Sequence, residues 1–213
     1  YQTAGDYDLA VNGTTAGVLT VERPATFGVT DAALNQTTIT EGDSVDVTAT
    51  VENTGEQDGT FTADLEIDGT VVDSKDVTVA AGTTETVRFV RTFDRAGDYA
   101  IAVSGTSAGT LAVEQPATLT VTDASLNQTT IIEGESVEVT GTIENTGDQS
   151  GTFTAELAID GTVVDLRDVT VAAGTTETVT FVRTFDQAGD YAIAVSGTSA
   201  GTLAVEQPAT LTV

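Results

Sequence analysis

Apolar and polar residues alternate along this chain with a period of two. Val45, Val47, Ala49 and Val51 interleave with Ser44, Asp46, Thr48 and Thr50, and Phe61, Ala63, Leu65 and Ile67 with Thr62, Asp64 and Glu66. Successive strand side chains point to opposite faces, so each run predicts a strand with one buried and one wet face. Further strands are expected at Val71–Val79, Thr84–Phe93, Asp98–Ser104 and Gly109–Glu114, with another near Thr118–Asn127. No long stretch shows the roughly 3.6-residue period of an amphipathic helix. Thr and Val, both abundant and both β-branched, favour strands. The chain reads as all-β.

Turn chemistry divides these strands. Asp68-Gly69 and Asp160-Gly161 sit between alternating runs, where a type I′ hairpin turn needs positive φ at both central positions. Asn53-Thr54-Gly55 and Asn145-Thr146-Gly147 open further loops, and Glu41-Gly42 and Ala81-Gly82 mark two more. About seven short strands separated by such turns is the pattern of an immunoglobulin-like β-sandwich, in which two facing sheets bury alternate residues of both.

The pattern repeats. Residues 31–121 recur at 123–213, an offset of 92, with 14 differences in 91 positions. The leading residues share the offset, since Gly5, Tyr7 and Pro24 precede Gly97, Tyr99 and Pro116 by the same step. Tandem modules are therefore expected, at 24–115 and 116–207. Residues 1–23 read as the terminal strands of a preceding module and 208–213 as the first strand of a following one. Gln115-Pro116-Ala117 forms a short junction without a Gly/Ser tract, which favours restricted motion between modules. Four differences exchange Asp and Glu (Asp43/Glu135, Asp46/Glu138, Glu56/Asp148, Asp64/Glu156). A catalytic or metal-binding carboxylate needs a set reach, so these pairs are poor site candidates.

Composition narrows the chemistry. There is no Cys, His, Met or Trp, which excludes disulfides, thiol nucleophiles, zinc–thiolate sites and imidazole catalysis. Seven cations against 33 carboxylates give a net charge of −26, unsuited to holding nucleic acid or an anionic membrane. No apolar run approaches the roughly 20 residues of a membrane helix. Tyr99 and Tyr191 follow DRAG-D and DQAG-D, as Tyr7 follows TAG-D, and each begins a strand. The arrangement resembles the tyrosine corner of sandwich folds and reads as structural rather than as a binding platform. No cofactor is expected; Asp94 and Asp98 leave calcium open, but no DxDxDG loop accompanies them. Asn12-Gly-Thr, Asn35-Gln-Thr and Asn127-Gln-Thr match the N-glycosylation sequon.

The run ENTG, followed by a G-x-F-x-x-x-L-x-I-D-G hairpin, a Gly-Thr-Thr turn and AGDY, resembles the cell-adhesion-related bacterial (CARDB-like) domain of the Ig-like superfamily. That resemblance implies tandem stalks of secreted and surface proteins, notably of halophilic archaea, and no catalytic residues. The expected function is a structural extracellular array, a cell-surface stalk or filament that self-associates with like modules, polymerising by strand pairing between subunits. The alternative is an adhesin-type module recognising glycans or acting with calcium. Nothing marks an enzyme.

At molar salt the Debye length falls to about 3 Å, which screens the self-repulsion of so acidic a surface. Thermal melts followed by circular dichroism are therefore expected to show a higher midpoint in 3 M than in 0.1 M NaCl; equal midpoints would reject a salt-requiring fold.

Overall fold

The computed structural model describes residues 3–209. Most of the strand expected at 208–213 thus lies outside the described residues. Strands, turns and bends account for the regular structure, and none of the described residues is helical, so no helix is long and apolar enough to cross a membrane. The chain divides into two compact units, Tyr1–Glu114 and Gln115–Val213.

A hairpin opens the first unit, β1 (Gly5–Val11) and β2 (Thr14–Val21). Eight strands follow: β3 (Phe27–Leu34), β4 (Thr38–Thr40), β5 (Ser44–Asn53), β6 (Gly59–Ile67), β7 (Thr70–Val79), β8 (Thr84–Thr92), β9 (Gly97–Val103) and β10 (Thr106–Glu114). The second unit repeats them as β11 (Leu119–Leu126), β12 (Thr130–Ile132), β13 (Ser136–Asn145), β14 (Gly151–Ile159), β15 (Thr162–Val171), β16 (Thr176–Thr184), β17 (Gly189–Val195) and β18 (Thr198–Glu206). In each unit a five-stranded sheet, ordered β4-β10-β9-β6-β7 or β12-β18-β17-β14-β15, faces a three-stranded sheet, β3-β5-β8 or β11-β13-β16. The eighth strand per module is the three-residue β4 or β12, too short to show alternation in sequence. It pairs in parallel with the last strand, Thr38–Thr40 against Ala112–Glu114 and Thr130–Ile132 against Ala204–Glu206.

Alternation becomes burial as expected. Val45, Val47, Ala49 and Val51 of β5 point into a core with Leu65, Phe89, Ile101, Val103 and Leu111, and the second unit repeats this around Phe181. The two inward differences on β5 and β13 offset one another. Val51 becomes Ile143, which adds a methyl group, while Ala49 becomes Gly141, which removes one two residues away on the same face. A Cβ at Gly141 would meet Val195 at 2.8 Å, so the pair conserves volume where the core has none to spare. Lys75 and Arg167 exchange equally well. Each lies over a core phenylalanine, 5.2 Å from Phe89 and 5.3 Å from Phe181, and donates to the carbonyl of residue 88 or 180.

The turns carry the backbone angles their residues allow. Asp68 and Gly69 have φ of 50° and 75°, both positive as a type I′ turn demands. Asn12-Gly13 and Ser104-Gly105 adopt the same angles and close the β1–β2 and β9–β10 hairpins, two turns the sequence reading did not single out.

Among the described residues only two polar side chains are buried, Asn53 and Asn145. Each closes β5 or β13 and is fully hydrogen-bonded. Asn145 Oδ1 accepts from the N–H groups of Thr118 (3.1 Å) and Gly147 (3.0 Å). Its Nδ2 donates to the carbonyls of Gln149 (2.7 Å) and Val171 (3.2 Å). Removing this amide strands several buried backbone groups. Asn145→Ala is expected to cost about 3 kcal/mol or more, read as lost hydrogen-exchange stability of β13 and β15 in the full chain. Val182→Thr, on an exposed face, is expected to stay within about 0.5 kcal/mol.

Candidate functional site

The buried asparagine belongs to a clasp that the ENTG loop forms around the segment leading into each sandwich. In the first unit Asn53 Oδ1 accepts from Thr26 N–H (3.1 Å) and Gly55 N–H (2.9 Å), and its Nδ2 donates to Gln57 O (2.8 Å) and Val79 O (3.1 Å). Thr54 N–H donates to Thr26 O at 2.9 Å, and Glu56 N–H to Arg23 O at 3.0 Å. One side chain thus joins the loop, the lead-in segment and the end of β7.

Closeness explains the glycine. A Cβ on Gly55 would fall 2.2 Å from Pro24 O, and one on Gly147 2.0 Å from Pro116 O. Backbone lies against backbone there, leaving no room for any side chain.

The residue before each proline is gripped by a carboxylate. Arg23 N–H donates to Glu56 Oε2 at 2.8 Å, and Gln115 N–H to Asp148 Oδ2 at 2.9 Å, while Asp148 N–H returns a bond to Gln115 O at 3.0 Å. Glu56 and Asp148 exchange here without loss of the bond. A backbone N–H can be met by either carboxylate, because the loop supplies the remaining reach. In the first unit the Arg23 guanidinium adds an ion pair at 3.2 Å.

The tyrosines form a second structural node. Tyr99 Oη donates to Arg95 O and Tyr191 Oη to Gln187 O, both at 3.0 Å, and Tyr7 Oη donates to Thr3 O at 2.8 Å. Phe93 and Phe185 pack on Tyr99 and Tyr191 with ring centroids 4.9 Å apart. Glu41 and Glu133 accept from the N–H groups of Ala96 and Ala188, pinning the AGDY loop from below. Beside this node Arg91, Arg95, Phe93, Tyr99, Ile67 and Val72 line an open hollow of about 380 Å³. Asp94 joins the lining, so the two cations of the hollow share it with a carboxylate.

Of the remaining sequence candidates, Asp94 and Asp98 flank the tyrosine node and the asparagines lie elsewhere. Asn12 occupies the β1–β2 turn. Asn35 and Asn127 are exposed where the first strand ends, and their Oδ1 atoms accept from Asp46 N–H (2.8 Å) and Glu138 N–H (2.9 Å). Asp94 and Asp98 are exposed, and among the described residues no three metal-ligating side chains gather.

The CARDB family matches residues 18–112 and 116–204. This chain belongs to that family. Both stretches contain the ENTG loop, the bond from Thr26 or Thr118 to the buried asparagine, and the AGDY node, so these are features of two CARDB domains in tandem. No curated protein matches the chain. Among solved structures it is similar to the D0-D1 domain of intimin, with 14% identity over 84% of this chain and 98% of that one and a TM-score of 0.31. It is similar to the I9-I11 tandem of titin at 12% identity, covering 83% and 66%, with a TM-score of 0.33. Red sea bream transglutaminase matches at 11% identity over 86% of this chain, with a TM-score of 0.30, and the chain spans 31% of that enzyme's length.

The clasp titrates. The Arg23 N–H is the main cause that holds the Glu56 carboxyl below its ordinary value; desolvation opposes it and the guanidinium reinforces it. A carboxyl lowered on folding stabilises the fold above its ordinary value, and that stabilisation is lost as pH falls through the lowered one. Carboxyl titration by NMR is expected to place the Glu56 midpoint below 4.5, with most of the lowering surviving Arg23→Ala because the N–H remains. A midpoint at the ordinary value in Arg23→Ala would make the guanidinium, not the backbone, the principal partner.

Proposed function

We propose that the chain is a stretch of an extracellular structural array, in which tandem CARDB sandwiches build a cell-surface stalk or filament and bear tension. The array grows through association of like modules, and no catalytic step is assigned to it. The observation that carries this reading is the clasp, whose geometry is kept in both copies while its side chains change from Arg23 and Glu56 to Gln115 and Asp148. What the copies share is attachment of the lead-in segment and a packed core. Family membership supports the surface setting. The sequons at Asn35 and Asn127 suit it too, since their Nδ2 atoms have no protein partner among the described residues.

Strand direction supports a mechanical role. The last strand of each module pairs in parallel with β4 or β12 near the module's start. Pulling parallel neighbours from opposite ends shears all their bonds together, whereas an antiparallel hairpin pulled at its two ends opens one bond pair at a time. Recognition of a ligand by every module finds less support, because Gln187 replaces Arg95 and the second copy lacks one of the two cations of the hollow.

Force spectroscopy on the full chain tests the reading. Two unfolding events are expected, each releasing roughly 300 Å of chain from about 92 residues, at forces well above those that unzip a hairpin. Gradual extension without such events would overturn it.

A further inference from the structure

The hollow beside the tyrosine node is lined by three charged side chains, Arg91, Asp94 and Arg95, over a floor that includes Ile67, Val72 and Phe93. Among the described residues the ion pairs are Arg23–Glu56 and Arg88–Asp46, so opposite charges line this hollow without pairing. The hydroxyls of its wall are already engaged. Thr92 Oγ1 shares a hydrogen bond with Ser44 Oγ at 2.7 Å, and Tyr99 Oη donates to Arg95 O. What the hollow offers a ligand is therefore charge of both signs beside apolar surface.

The backbone that carries these charges is fixed at several points. Phe93 N–H donates to Asp43 O (3.1 Å), Gly42 N–H donates to Phe93 O (2.8 Å), and Ala96 N–H donates to Glu41 Oε1 (2.6 Å). A ligand meets charges on a backbone already in place, which lowers the ordering cost of binding. The volume, about 380 Å³, lies within the roughly 300–1,000 Å³ of small-molecule clefts.

Charge selects the class of ligand. A simple anion is drawn by two guanidiniums but repelled by Asp94, and a simple cation meets the reverse. A neutral sugar sets its hydroxyls against the apolar floor, where they gain nothing. A zwitterion with an apolar body satisfies every part at once. Its carboxylate takes the planar donors of the guanidiniums, its ammonium takes the Asp94 carboxylate, and its chain covers the floor. We propose that the first module binds a free α-amino acid with an aliphatic side chain in this hollow, its carboxylate on Arg91 and Arg95 and its ammonium on Asp94. The second module supplies the contrast. It keeps Arg183, Asp186 and Phe185 at the matching positions but carries Gln187 in place of Arg95, so half of the carboxylate site is missing. The inference is independent of the mechanical reading and holds whether or not the array bears tension.

Amide NMR of the full chain titrated with L-leucine tests it, with residues 183–191 as an internal reference for 91–99. Saturable shifts are expected over 91–99 and none over 183–191. Arg95→Gln, which copies the second module, is expected to weaken binding at least about tenfold, the scale of one charged hydrogen bond. Gln187→Arg is expected to bring 183–191 into the response. N-acetyl-L-leucine and L-leucine amide each lack one charge and are expected to bind at least about tenfold more weakly than L-leucine. Asp94→Asn is expected to erase the difference between L-leucine and its N-acetyl form. Unshifted core amides of β5 and β9 report that each variant is folded. Equal binding of L-leucine and N-acetyl-L-leucine to the natural chain overturns the proposal in favour of a general anion site. Saturable shifts with methyl glucoside but not with L-leucine overturn it in favour of a glycan site. No saturable shift with any of these probes overturns it outright.

Discussion

Each sandwich is organised around one buried amide. Asn53 and Asn145 lie inside an apolar core, where an unpaired polar group is expensive, and every hydrogen-bonding site on the side chain is used. Because the four partners belong to the lead-in segment, the ENTG loop and the strand across the core, the amide makes their positions interdependent. Gly55 and Gly147 permit the approach, the carboxylates of Glu56 and Asp148 hold the residue before the proline, and β3 or β11 then starts in register.

The differences between the copies follow from this arrangement. Where a side chain serves a backbone group, its identity drifts: Glu56 and Asp148 reach the same kind of N–H, as Asp43 and Glu135 do at Thr40 and Ile132. Where a cation pairs with a carboxylate, the cation is lost in the second copy while a carboxylate remains. The Asp46–Arg88 ion pair at 2.6 Å is replaced by Glu138 and Thr180. Only two ion pairs occur among the described residues, so most of the 33 carboxylates face solvent without a cation. The fold is held by its core and its backbone bonds.

Much of the architecture was legible because it rests on local rules. Alternation in β5 and β6 named the buried residues directly, and Asp68-Gly69 announced a turn whose angles only such a pair adopts readily. The tyrosines were placed by their spacing from AGD. Other features gave no local signal. The three residues of β4 cannot display a period, and Asn53 in an Asn-Thr-Gly sequence looks like any turn asparagine. The exchange of Glu56 for Asp148 gives no local sign that both accept from a backbone N–H.

The sequence by itself determined the strand class, the period of 92, the hairpin turns and which face of each strand is apolar, since these depend on residues within a few positions of one another. Tertiary structure alone decided that Asn53 is a buried clasp, that Gly55 touches Pro24, that β4 runs parallel to β10, and that Leu9 is exposed where Ile101 is buried. Those outcomes depend on groups tens of residues apart meeting across two sheets. A strand's pattern states that it must bury a face, but only the assembled fold states against what.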